Sequence, residues 1–229
     1  MYESRSGDDL VGLRTGEDEV GEAVALGAFS LVKLTIGVMG ASGGDLAEAV
    51  RQRAYRLGEV IAERDAILIT GGCPGLPYEA VRGAKAKGGL VVGISPGLSI
   101  EEHRGKYRSP VDCFDVLIYT GSGLMGREIT NIRSCDIVVI AGGRTGTLGE
   151  LAIAFDEGRL IGVLTGTGGI TAMVEEIIRV CQKDTGAYVL YDDDSQRLID
   201  RLIEYYRTKH FRKPSCFCDR VAVDQGGGR

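Results

Sequence analysis

The segment Gly142–Glu150, with the sequence GGRTGTLGE, carries the residues best suited to bind an anion. It follows the apolar run Ile137–Ala141 and leads into a helical pattern. Small residues let backbone N–H groups surround an anion, and the start of a helix favours negative charge. Thr145 and Thr147 add hydroxyl donors, so the segment predicts a phosphate-binding loop. The alternative is a strand-to-helix turn in which Thr147 caps the helix and Glu150 completes a capping box.

Two further glycine-rich turns follow apolar runs, at Gly40–Gly44 and at Gly71–Gly75. Each is consistent with a phosphate or ribose cradle and also with a bare turn. The first lacks both the G-x-G-x-x-G spacing and a following P-loop lysine, so neither a dinucleotide nor a triphosphate is indicated. Across the three turns, the predicted phosphate- or nucleotide-binding residues are Gly40, Ser42, Gly43, Gly71, Gly72, Gly142, Gly143, Arg144, Thr145, Gly146 and Thr147.

A cation and a carboxylate are predicted to meet at the same place. Arg127 lies in the first turn of the helical segment before the Ile137–Ala141 run, which places it at the same edge as Glu150. We predict that these two residues form a catalytic pair and that Asn131, one turn further on, contacts the ligand. The alternative is that Arg127 forms a surface salt bridge with Glu128 or Glu150.

Short apolar runs alternate with helical patterns from Leu34 to Lys209. The runs are Leu34–Met39, Ala66–Thr70, Leu90–Ile94, Val116–Tyr119, Ile137–Ala141, Leu160–Leu164 and Tyr188–Leu190. The helical segments are Leu46–Arg64, Tyr78–Lys87, Leu124–Ser134, Leu148–Glu157, Ala172–Lys183 and Ser195–Lys209. Unbroken apolar runs are typical of strands buried on both faces, joined by right-handed crossovers. We predict a Rossmann-like three-layer α/β/α fold with a mainly parallel sheet of about seven strands, and a ligand crevice at the carboxyl ends of the strands.

The predicted domain organisation is simple: residues 1–30 form an N-terminal extension, residues 31–210 a Rossmann-like nucleotide-binding domain, and residues 211–229 a polar tail. The basic segment His103–Arg108 is interpreted as a solvated loop, with closure over the crevice as the alternative. Asp192–Asp194 precedes a helix, which favours helix capping over metal binding.

Composition excludes several classes of function. The formal net charge of -5 gives no electrostatic footprint for nucleic acid. No signal peptide is indicated, because the first twenty residues carry many acids and no basic segment followed by an apolar one. No membrane span is indicated either, because the apolar stretch Ala23–Ala41 contains Lys33 and ends in a glycine-rich turn. The six cysteines lack metal-ligand spacing, which predicts free thiols in the cytoplasm. We therefore expect a small-molecule partner, with no metal and no bound cofactor.

Gly143 and the run Gly146–Glu150 resemble the P-G-G-x-G-T-x-x-E signature of the Lonely Guy family. Arg127, nine residues before Asp136, resembles that family's second motif, and the similarity extends over residues 31–209. The resemblance implies a phosphoribohydrolase that releases cytokinin bases from their riboside monophosphates, and a homodimer or higher homo-oligomer. The chain is also similar to the nucleotide fold of DNA-processing protein A and to molybdenum cofactor carrier proteins.

Three positions depart from the Lonely Guy motifs: Gly142 replaces the motif Pro, Arg144 replaces a Gly and Glu128 replaces a Lys. Two functions therefore stay open. In the first, a nucleoside 5′-monophosphate such as AMP is hydrolysed at its N-glycosidic bond, with Glu150 stabilising the sugar cation and Arg127 binding the phosphate or assisting the departing base. In the second, the crevice carries a nucleotide or a phosphorylated pterin such as molybdenum cofactor without converting it. No lysine lies in a predicted strand-end loop, so a pyridoxal-phosphate decarboxylase is not indicated.

Overall fold

Seven parallel strands form one sheet in the computed structural model, which describes residues 32–210. The strands are β1 Thr35–Gly40, β2 Ile67–Thr70, β3 Val91–Ser95, β4 Val116–Tyr119, β5 Ile137–Ala141, β6 Leu160–Leu164 and β7 Tyr188–Asp192. Their order across the sheet is β4-β3-β2-β1-β5-β6-β7, and every pairing is parallel. The predicted fold class is therefore confirmed. The predicted extension and tail, residues 1–30 and 211–229, lie outside the described residues.

Helices cover both faces of the sheet. They are α1 Glu48–Glu63, α2 Leu76–Ala86, α3 Ile100–Gly105, α4 Gly123–Arg133, α5 Thr145–Asp156, α6 Val174–Cys181 and α7 Ser195–Tyr205. A 3₁₀ turn at Gly169–Ala172 precedes α6, and a π turn at Tyr206–His210 follows α7. None of the helices within this described part is long and apolar enough to cross a membrane.

Successive side chains of the central strands point to opposite faces of the sheet and pack in two separate hydrophobic cores. Ile137 and Val139 of β5 pack in the core that α1, α2 and α7 cover. Val138 and Ile140, which point the other way, pack in the core beneath α4, α5 and α6. Both sets are buried, which explains why β5 reads as an unbroken apolar run.

β1 and β5 are neighbours in the middle of the sheet, in register from Ile36 with Ile137 to Gly40 with Ala141. The helix after β1, α1, packs on one face, whereas the helix after β5, α5, packs on the other. The two loops that follow these strands therefore diverge. This is the switch point of an open α/β sheet, where a crevice forms at the carboxyl ends of the strands.

Two of our local predictions concern charged segments. The segment His103–Arg108 is not simply a solvated loop, because His103 lies in α3 and is buried. Its two ring nitrogens lie 2.8 Å from the Ser95 hydroxyl and 2.8 Å from the Pro110 carbonyl. The capping prediction is confirmed: Asp194 is the N-cap of α7 and accepts a hydrogen bond from the backbone N–H of Arg197.

Candidate functional site

A cavity of about 410 Å³ opens at the switch point between β1 and β5. Its walls come from the end of β1 with the following loop, the turns after β2 and β5, the first turns of α2 and α4, and the first half of α5. The residues that line it are Val38, Met39, Gly40, Ala41, Ser42, Gly71, Cys73, Pro77, Leu124, Arg127, Glu128, Arg144, Thr145, Gly146, Thr147 and Glu150. The topology thus brings together four segments far apart in the sequence.

The N-terminus of α5 forms one wall of the cavity. This helix begins at Thr145, three residues before the predicted start, and no described side chain caps it. Its first turn therefore presents uncapped N–H groups and the positive end of the helix dipole. The capping-box alternative is wrong, because Thr147 is the third residue of the helix and Glu150 lies in its second turn.

Gly142 and Gly143 shape the turn that leads into α5. Both have positive φ angles, of 62° and 98°. The N–H of Gly142 donates to the Thr167 hydroxyl at 2.8 Å, and a side chain at Gly143 would collide with Thr147. Only glycine meets both demands without strain. Neither residue is among those that line the cavity, so the structure shows them shaping the turn, and their binding role stays a prediction.

Arg127 is buried beneath the cavity wall, with 7% of its surface exposed. Its Nε and Nη1 atoms have no hydrogen-bond partner among the described residues. Its Nη1 lies where the Cβ of a side chain at Gly71 would be. The surface salt bridge that was the alternative for Arg127 is therefore absent from the described part. Two buried N–H groups without a protein partner carry a desolvation cost, and they are well placed to meet an anionic ligand.

Glu150 also lines this cavity and is buried, with 6% of its surface exposed. Asn131 donates to its Oε1 at 3.2 Å and to the Met39 sulfur at 3.0 Å. Burial raises the pKa of the Glu150 carboxyl to about 7, although the positive charge of Arg127 opposes the rise. Asn131 thus holds Glu150 in place from behind and does not itself line the cavity.

Residues 33–199 match the SLOG cluster4 family. The chain belongs to this family. An uncharacterised protein of Archaeoglobus fulgidus is 39% identical over 131 residues, which cover 57% of this chain and 80% of that protein. The narrower assignment to the Lonely Guy family is not confirmed by these matches.

Solved structures similar to this SLOG cluster4 protein include two that bind or carry molybdenum cofactor. The molybdenum cofactor binding protein of Rippkaea orientalis is 29% identical, with a TM-score of 0.63 over 78% of this chain and 100% of that one. The molybdenum cofactor carrier protein of Chlamydomonas reinhardtii is 30% identical, with a TM-score of 0.64 over 77% and 100%. DNA processing protein A of Helicobacter pylori shares the fold alone, at 18% identity and a TM-score of 0.51 over 75% and 80%.

Some of the predicted binding residues of this SLOG cluster4 protein lie outside the cavity lining. Gly43 does not line the cavity. Gly72 does not line it either, and its N–H donates to the Thr70 hydroxyl at 3.1 Å, which closes the turn after β2. The positive φ of Gly72, 63°, explains the glycine at that position by the turn itself.

Several residues of the SLOG cluster4 cavity were missed. Glu128 was considered as a salt-bridge partner of Arg127 and as a departure from a motif, yet it is buried and lines the cavity. Its position directly after Arg127 was the signal that could have identified it. Cys73 also lines the cavity, where burial raises the pKa of its thiol. Within residues 32–210, no three His, Cys, Asp or Glu side chains are grouped so that they could hold a metal ion.

Proposed function

We propose that this protein binds a phosphorylated small molecule in the cavity between β1 and β5, and that its ligand is the phosphorylated pterin of molybdenum cofactor or a close chemical relative. The observation that carries the proposal is the buried Arg127 guanidinium with two unpartnered donor atoms. A phosphate oxygen accepting from Nε or Nη1 would remove that desolvation cost. The likeness to two proteins named for binding or carrying this cofactor supports the same ligand.

The rest of the cavity suits a phosphorylated ring compound. Backbone N–H groups at the start of α5 and the Arg144 side chain add positive potential where a phosphate would lie. Met39 and Leu124 give apolar surface for a flat heterocycle. The volume of about 410 Å³ falls in the usual range for small-molecule sites.

Hydrolysis of a nucleoside 5′-monophosphate is the second candidate, because Glu150 is a buried carboxyl close to Arg127 and held by Asn131. In that reaction Glu150 would hold the ribose hydroxyls and stabilise the sugar cation. Only an ionised carboxylate stabilises a cation well. Because burial raises the pKa of Glu150 to about 7, such a reaction would accelerate as the pH rises through that value.

The test combines binding and turnover. We expect AMP, isopentenyl-AMP and a pterin phosphate ester to raise the melting temperature, with no free base or ribose 5-phosphate after long incubation. Arg127→Met should abolish the stabilisation. Arg133→Met is the matched control, since Arg133 lies on the same helix but pairs with Glu157 at the surface.

Two results would change this assignment. Base release that disappears in Glu150→Gln would make the protein a phosphoribohydrolase. Absence of stabilisation by every phosphate ester would remove the binding function altogether.

A further inference from the structure

Glu128 is a second charged side chain of the cavity that has no partner among residues 32–210. It is 5% exposed and lines the cavity, and none of the hydrogen bonds or ion pairs of the described part involves it. Burial raises the pKa of its carboxyl, with Arg127 opposing the rise. Because this carboxylate lies on the cavity wall without a protein hydrogen bond, a ligand with hydrogen-bond donors is its natural partner.

The flank of α5 is shaped to admit this carboxylate. A Cβ added at Gly149 would lie 2.6 Å from Glu128 Oε2, and one added at Gly146 would lie 3.4 Å from Glu128 Oε1. Positions three apart share one helix face, so the two glycines leave a shallow trough that the carboxylate fills. Alanine at Gly149 would force it out.

The carboxylate and the phosphate-binding groups occupy different directions around α5. Free N–H groups at the helix start point along its axis, whereas Glu128 lies against its side. A ligand bound here therefore meets a positive region at the helix end and a carboxylate on the flank. It must carry an anionic group and also N–H donors that reach the flank of the helix.

Resting on the proposed function, we infer that Glu128 determines specificity by accepting two parallel hydrogen bonds from a 2-amino-4-oxopyrimidine ring of the phosphorylated ligand. Such a ring, found in pterins and in guanine, presents a ring N–H beside an exocyclic amine. The two oxygens of a carboxylate match that edge in the same way as they match a guanidinium. Adenine lacks the paired donors, and hypoxanthine and lumazine lack the amine.

Binding is measured by calorimetry with two pairs of phosphate esters that differ in the 2-amino group. The pairs are GMP against IMP, and 6-hydroxymethylpterin phosphate against 6-hydroxymethyllumazine phosphate. We expect the amino compound of at least one pair to bind ten- to a hundredfold more tightly, because its absence leaves Glu128 unpaired. Which pair binds more tightly distinguishes a pterin from a guanine nucleotide.

Two variants test whether the preference for the 2-amino compounds depends on Glu128. Glu128→Gln should reduce the preference to less than about threefold while AMP still binds. Gly149→Ala, which displaces the carboxylate without removing it, should do the same and gives a folded alternative if the first variant is unstable. Glu176→Gln, at an exposed ion pair with Arg179, is the control and should keep the preference.

The outcomes separate this inference from the function on which it rests. If all phosphate esters bind equally, or if Glu128→Gln keeps the preference for the 2-amino compounds, Glu128 does not recognise the ring. The proposed binding function would still stand in that case. If no phosphate ester binds the wild-type protein, the proposed function fails and this inference fails with it.

Discussion

The Arg127 guanidinium fills the space that a side chain at Gly71 would occupy, with its Nη1 at the Cβ position. The two residues lie on different elements, the turn after β2 and helix α4. Absence of a side chain on one is thus what allows the buried cation on the other.

Gly71→Ala should therefore weaken ligand binding with little loss of stability. Gly71 does not have a positive φ, so alanine fits its backbone, and the arginine can move because it is flexible. We expect affinity for a phosphate ester to fall about tenfold to a hundredfold, measured by calorimetry. Gly105→Ala, where an added Cβ meets nothing within 4 Å, is the control. Unchanged affinity in Gly71→Ala would show that the position of Arg127 does not matter.

Glu150 should make the stability of the protein depend on pH. Burial raises its pKa from 4.5 to about 7, so the folded state holds the proton more tightly than the unfolded state. This contribution to stability is complete below pH 4.5 and is lost as the pH rises to about 7. Glu150→Gln should remove it, so the variant gains on the wild type over that interval by an amount on the order of 3 kcal/mol. Urea unfolding of both proteins at pH 5 and pH 8 measures the difference, and parallel curves would contradict the pKa.

Asp192 at the end of β7 should be a strong contributor to stability. Its buried carboxylate accepts from Arg197 and Arg201 and from the backbone N–H of Asp194, and these bonds hold its pKa well below the usual range. Asp192→Asn should lower the free energy of unfolding by about 1–3 kcal/mol. Asp193→Asn, which changes an exposed neighbour, should have a much smaller effect. Equal losses in the two variants would show that the buried network is not what stabilises this corner.

The predicted homodimer can be tested at a surface beside the cavity. Apolar residues are exposed on the edge strand β4 and on α4, namely Val116, Ile118, Leu124, Met125 and Ile129. We expect light scattering to give twice the mass of one chain, because an apolar surface of this kind is typical of an interface. The double substitution Met125→Lys and Ile129→Lys should yield monomers, whereas Met173→Lys, at another exposed methionine, should not. A wild-type monomer would rule the dimer out.

The sequence was most informative where burial is complete. Apolar runs identified every strand of the sheet, and for central strands such as Ile137–Ala141 the reason is burial on both faces, which leaves no polar alternation. The start of α5 was placed three residues late, since glycine and threonine have low helix propensity and here serve the turn and the cavity instead. Helix α3 was missed because its buried anchor, His103, is polar.

Charged residues of the cavity were only partly predictable. Arg127 and Glu150 follow from motif spacing and from the rule that places helix starts at the carboxyl edge of the sheet. Glu128 did not, because acidic residues are seldom buried and a sequence gives no sign of the glycine trough that receives one. Glycine is an ambiguous signal, because it serves a turn with positive φ, as Gly72 does, as readily as it allows close approach of a ligand.

The pairing of β1 with β5 also has a kinetic consequence. Thr35 and Asp136, which bond at the start of this pair, are 101 positions apart in the chain. Contacts between such distant segments form slowly, because a long loop must close before any stabilisation is gained. The cavity lies across this pair and takes walls from both halves, so it exists only once the central pair has closed. A nascent chain should therefore gain its affinity for ligand late in folding. Ligand present at that stage would bind the closed state and shift the equilibrium of the β1–β5 pair toward it.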